Sequence, residues 1–190
     1  MNFLRSKVNL FLLLAVFNSL LCLAQDKNIL NWPDGKLTWE DYQAKPDSPN
    51  SFLSYIDFAY DADMQGNGKV VDVKVTCFFN RSQSYIDDAI KDNELLEREQ
   101  LHFDITEKYA RLLRKEIQDQ KWESKTFRKD IEHLYKKIAN ENKAEQRLCD
   151  LETKKGKHPE KIAEWKSKIA KELKKLDKYT SSTFSVKVKA

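Results

Sequence analysis

The chain has 190 residues, 41% apolar and 34% charged, with mean hydropathy −0.70 and a formal net charge of +4. That length suits one domain with a real core and is short for two. Its 34 basic and 30 acidic residues are interspersed rather than gathered into a basic stripe, which argues against nucleic-acid binding and reads as solvated helix faces.

Residues 1–24 carry Arg5 and Lys7, an apolar run from Val8 to Leu21, and then Cys22, Leu23 and Ala24 ahead of Gln25. This order predicts a secretory signal peptide cut after Ala24, and so a secreted or periplasmic protein. The apolar run is shorter than the roughly 20 residues a spanning helix needs, so no membrane association is expected after cleavage. Leu21 stands where a lipoprotein signal wants Gly or Ala, which argues against lipid attachment at Cys22. Losing Arg5 and Lys7 takes the net charge from +4 to +2, and residues 25–190 are expected to form a single domain.

Asn31 to Asn50 is rich in turn formers and aromatics and reads as an irregular lead-in pinned by Trp32 and Trp39. Phe52 to Ala62 and Lys69 to Asn80 alternate with the period of two that strands need. With Gln65, Gly66, Asn67 and Gly68 between them they predict an N-terminal β-hairpin. Two cysteines follow the leader, Cys77 and Cys149, and an oxidising compartment permits a disulfide. Cys77 alternates with Val71, Val73, Val75 and Phe79, so a buried apolar role is the stronger expectation.

After a turn at Arg81 to Ser84, Glu94 to Arg114 places Leu95, Leu96, Phe103, Ile105, Tyr109, Leu112 and Leu113 on one broad stripe, an amphipathic helix. From Trp122 onward Phe127, Ile131, Leu134, Tyr135, Ile138 and Leu148 keep helical spacing. Lys154 to Pro159 breaks the run, and Ile162, Trp165, Ile169, Leu173 and Leu176 resume it. Thr183 to Val188 alternates again and is available as a third strand, which a lone hairpin needs. The fold class is α+β.

Glu99 and His102 fall at the edge of the buried stripe of the first helix. A helical H-E-x-x-H holds zinc between two imidazoles while its Glu polarises water. Here the first ligand position is Arg98, which offers only donors and cannot bind a metal. On spacing alone, a half-buried structural histidine in a charged helix face explains the pair.

The order Trp39-Glu40-Asp41-Tyr42, hairpin, helix, and then Glu145 to Gly156 and Trp165 resembles a bacterial family, domain of unknown function 922. Its members are described as predicted secreted zinc-dependent proteases and grouped with zincin-like peptidases. The resemblance runs from about residue 37 to 165. It is densest in the helix, where family members read L-L-x-H-E-x-x-H-F-D-I and then Y-A-R, matched by Leu95, Leu96, Glu99, His102, Phe103, Asp104, Ile105, Tyr109, Ala110 and Arg111.

The resemblance implies a zincin-like domain with Glu99 as catalytic base and His102 as a zinc ligand. Arg98 departs from the first ligand position. A second family motif aligns with Cys149 to Gly156 and puts Lys155 where a histidine ligand is expected. Asp150, Glu152 and His158 are the remaining candidates for a rearranged ligand set, while His133 on a charged helix is expected to be structural. A catalytic zinc wants three protein ligands and one open position.

Two readings of Arg98 stand open: an internal ion-pair cluster, in which Arg98 and Lys155 offset Glu99, Asp150 and Glu152, or a surface pair with Glu94 one turn back. The corresponding functions are a secreted scaffold without peptidase activity that binds a protein or peptide, with no cofactor expected, and an active zinc peptidase using Glu99 and His102. A third possibility makes the helices from Trp122 to Lys178 an interaction surface.

Overall fold

Val71, Val73, Val75, Cys77 and Phe79 alternate along one strand, all are buried, and the sheet is organised around them. A computed structural model describes residues 27–45, 54–64, 68–154 and 157–189. The expected signal peptide, residues 65–67 of the expected hairpin turn, and Lys155 with Gly156 lie outside the described residues.

Strand β1 is Ile29–Asn31, β2 is Ile56–Met64 and β3 is Val70–Asn80; two more, β4 at Trp122–Glu123 and β5 at Thr183–Lys189, complete the sheet. The hairpin pairs β2 with β3, Phe58 opposite Cys77 and Tyr60 opposite Val75. The C-terminal strand joins the other edge of β3, with Val73 opposite Phe184 and Val71 opposite Val186. That edge is shared, since β1 pairs with its far end, Leu30 opposite Phe79. Between the two neighbours Val75 donates its N–H to Ser182, and its carbonyl accepts from the Arg114 guanidinium at 3.0 and 3.2 Å. An arginine thus fills the gap that no strand covers. β4 pairs with β5 in parallel at the sheet's end.

Helix α1 spans Asn93–Asp119, longer at both ends than the apolar stripe predicts. It begins where the Asp92 carboxylate accepts from the Leu95 N–H at 2.6 Å, a side-chain N-cap. Helix α2 is Phe127–Glu152 and α3 is Pro159–Lys175. Between them the Thr153 hydroxyl donates back to the Cys149 carbonyl at 2.7 Å and Lys154 turns into the left-handed region at φ 49°. Pro159 occupies the first turn of α3, where its missing N–H costs nothing.

The order of layers follows from α1, which packs on β2 and β3 with one side and on α2 and α3 with the other. The lead-in is tied to the same helix. Trp32 donates its indole N–H to Asp104 at 2.8 Å, and the Leu37 N–H reaches Gln100 at 2.8 Å.

This placement corrects one sequence expectation. The interspersed charge predicts solvated helix faces, but on α1 Glu107, Lys108, Arg111 and Arg114 are all buried, as is Glu99 at the edge of the apolar stripe. An apolar stripe shows only which side meets the sheet; α2 and α3 then cover the polar side, and its charges must find partners inside. They do: among the described residues no buried side-chain nitrogen or oxygen lacks a hydrogen-bond partner. Among the described residues, too, no helix is long and apolar enough to cross a membrane.

Candidate functional site

Arg98, His102 and Thr106 recur every fourth residue on α1, and Asn142, Gln146 and Asp150 do the same on α2. Side chains four apart share one helix face, and because the helices run in opposite directions the two rows meet in reverse order. Arg98 donates to one Asp150 oxygen through Nε at 2.9 Å and Nη2 at 2.7 Å, and through Nη1 to the Glu99 carboxylate. His102 meets the same Asp150 oxygen through Nε2 at 3.0 Å and Gln146 Oε1 through Nδ1 at 3.0 Å.

Gln146 in turn donates to Thr106 Oγ1 and Asn142 Oδ1, both at 3.0 Å. Thr106 donates its hydroxyl to the His102 carbonyl at 2.9 Å. That bond makes Thr106 Oγ1 the acceptor of the Gln146 amide, which orients the Gln146 oxygen toward His102. Both imidazole nitrogens consequently face oxygen atoms, Gln146 Oε1 on one side and Asp150 on the other.

The site is closed. Glu99 is 3% exposed and His102 6%. Burial by itself pushes the Asp150 carboxyl up, but the hydrogen bonds and charges of His102 and Arg98 outweigh it and hold the group at about 2. Nearby, burial first and the Glu99 charge second push the Tyr42 phenol well above its ordinary value.

Of the two readings of Arg98, the guanidinium turns inward to Glu99 and Asp150 rather than outward to Glu94. Glu152 is not part of the cluster as expected. It accepts the Trp165 indole N–H at 2.8 Å, because two residues along a helix point about 200° apart, and Glu152 therefore faces α3 when Asp150 faces α1. His158 sits half-buried at the start of α3, where its backbone joins Thr153 and Ile162. His133 is exposed on α2. The degenerate ligand position Lys155 lies outside the described residues. Cys77 and Cys149 are both buried and unpaired, and burial pushes the Cys149 thiol up to about 12.

These side chains as they stand do not fit a zinc ion. A guanidinium occupies the space between Glu99 and Asp150, and both nitrogens of His102 are committed to other partners. Among the described residues no three His, Cys, Asp or Glu side chains form a group that could hold a metal. Sequence spacing missed Thr106, Asn142 and Gln146, although their four-residue period beside 98, 102 and 150 was a usable signal.

No family profile, curated protein or solved structure matches the chain.

Proposed function

We propose that this chain is a secreted or periplasmic protein on a zincin-like scaffold that lacks peptidase activity and works by binding a protein or peptide. The zincin-like part of this reading comes from the resemblance carried by Glu99, His102 and the residues around them. The loss of activity is supported by one observation above the others: the Arg98 guanidinium sits between the carboxylates of Glu99 and Asp150. A general base must reach a water molecule beside the substrate. Glu99 instead holds a permanent cation and is buried beneath it.

The test is elemental analysis of the protein purified after export without chelator or metal-affinity tag, beside the double variant Arg98→His plus Lys155→His, with casein hydrolysis measured on both. The expected result is no zinc and no hydrolysis in the natural protein, with zinc acquired by the variant. Near-stoichiometric zinc in the natural protein overturns the reading.

A further inference from the structure

Where β1 has ended and β5 has not begun, a cavity of about 390 Å³ lies against the edge of β3. Small-molecule sites are typically on the order of 300 to 1,000 Å³. Trp32 and Pro33 of the lead-in line it, as do Thr180 and Ser182 just ahead of β5. Its buried part is the charged set on α1, Glu107, Arg111 and Arg114. Arg111 stands about 20 Å along the helix from Arg98, so this cavity and the Arg98 cluster are separate.

Arg111 is only 5% exposed, yet its guanidinium is not fully used. A guanidinium has five N–H groups. Here Nε donates to Glu107 at 2.9 Å, and Nη1 donates to the Leu173 carbonyl at 3.1 Å and to Asp177 at 3.2 Å. The N–H groups on Nη2 meet no acceptor among the described residues. Every fully enclosed side-chain nitrogen or oxygen among those residues does have a partner, so Nη2 must border open space, and the cavity supplies it. The Trp32 ring lies over the same guanidinium, its centroid 5.1 Å from Cζ, which covers the flat face and leaves the edge for an acceptor.

Charge points to the same atom. The buried part of the cavity holds two guanidinium groups and one carboxylate, an excess of one positive charge away from water. Asp34 and Lys74 also line the cavity, but both are exposed and their signs cancel; Asp177 is 68% exposed and screened by solvent. A buried charge without a counter-charge is costly, and a monoanion on Nη2 offsets this one, whereas a dianion leaves an excess of the other sign. The apolar surfaces of Trp32 and Pro33 suit a small carbon body attached to that anion.

We propose that this cavity binds a small organic monocarboxylate, whose carboxylate accepts from Arg111 Nη2 and whose apolar body lies against Trp32 and Pro33. The site is independent of the reading of the chain as an inactive zincin-like protein, since neither zinc content nor hydrolysis enters its test.

The test is chemical-shift mapping on 15N-labelled protein recovered after export of the full chain, titrated with sodium benzoate at an ionic strength held constant with sodium chloride. Benzamide, of the same shape without the charge, and inorganic phosphate are the controls. Benzoate is expected to shift the Arg111 Nε–H, the Trp32 indole N–H and the Thr180 amide along one saturating curve, with benzamide leaving them in place and phosphate at least about tenfold weaker. Thr180→Asp sets a carboxylate beside the cavity from an exposed position, where it takes the place of the ligand. Benzoate affinity should fall at least about tenfold in that variant while the melting temperature holds or rises. Arg111→Lys keeps the charge but lacks Nη2 and should lose affinity by a similar factor; if this buried substitution prevents folding, Thr180→Asp decides alone. No saturating shift with benzoate up to about 20 mM overturns the proposal. So do equal shifts with benzamide, phosphate binding as tight as benzoate, which would mark an unselective anion site, or unchanged benzoate binding in Thr180→Asp.

Discussion

Arg98 and Asp150, 52 residues apart in the chain, share two hydrogen bonds on a single carboxylate oxygen and so fasten the start of α1 to the end of α2. Arg98 also neutralises Glu99, whose side chain is 4% exposed against 29% for Asp150, so truncating Arg98 leaves a buried carboxylate uncompensated, which costs more than the pair itself is worth. Arg98→Met is therefore expected to lower unfolding free energy by about 3 kcal/mol. Combined with Asp150→Asn it should show a coupling on the order of 1 to 3 kcal/mol in a double-mutant cycle by urea denaturation. Additive single effects would mean that the two side chains do not interact in solution.

Acid should act on the same contact. The Asp150 carboxyl is held at about 2 in the folded state against an ordinary value of 3.8. A carboxyl depressed by folding contributes stability above its unfolded value and loses it as pH falls through the folded one. The contribution is thus complete above about pH 4 and fades toward pH 2. Urea midpoints measured at pH 5 and pH 2.5 should drop further in the natural protein than in Asp150→Asn. Equal drops would assign the acid sensitivity to other groups.

Glu107 is the hub of a second buried set. It accepts from Arg111 Nε and Arg114 Nη1, both at 2.9 Å, while Arg114 also serves the carbonyls of Val75 and Tyr179. Glu107→Gln removes one negative charge from beneath two buried guanidinium groups. A loss of about 3 kcal/mol or more is expected in chemical denaturation, with secondary structure retained at low denaturant. A change under about 0.5 kcal/mol, the scale of an exposed site, would contradict the burial of this set.

Both thiols should behave as buried apolar groups. Burial raises Cys77 well above its ordinary value and Cys149 to about 12, so neither presents thiolate near neutrality. A thiol reagent at pH 8 is expected to modify neither in the folded protein and both in denaturant, with a melting temperature indifferent to reductant. A melting temperature that falls on reduction would reveal a disulfide instead.

Period-two alternation made the hairpin of β2 and β3 legible, and the same signal at Thr183 to Val188 gave β5. Helical spacing gave α1, α2 and α3, and the interruption from Lys154 to Pro159 marked the break between the last two. The three residues of β1 and the two of β4 were hidden, because so short a strand has no periodicity of its own and exists only through β3 or β5.

In the candidate site, Glu99, His102 and Arg98 stood out by spacing, and Asp150 by its alignment with the second family motif. What the sequence withheld was the direction of each side chain. Arg98 could pair with Glu94 or Asp150 on equal grounds until the position of α2 was known, and Glu152 looked equivalent to Asp150 until α3 was placed.

The shared edge of β3 also bears on the order in which the molecule can be built. β1 and β5 run in the same direction along one line, so Asn31 opposite Phe78 and Thr183 opposite Lys74 act as two halves of a strand whose middle is Arg114. The first half reaches β3 across 47 residues, Asn31 to Phe78, and the second across 109, Lys74 to Thr183, and pairings across separations as long as the second form slowly. During synthesis β3 must therefore wait, with Val71 and Val73 unpaired on that side, until nearly all of the helices have been made. The sheet is begun first and finished last, because β5 is the final strand to leave synthesis and both β3 and β4 pair with it.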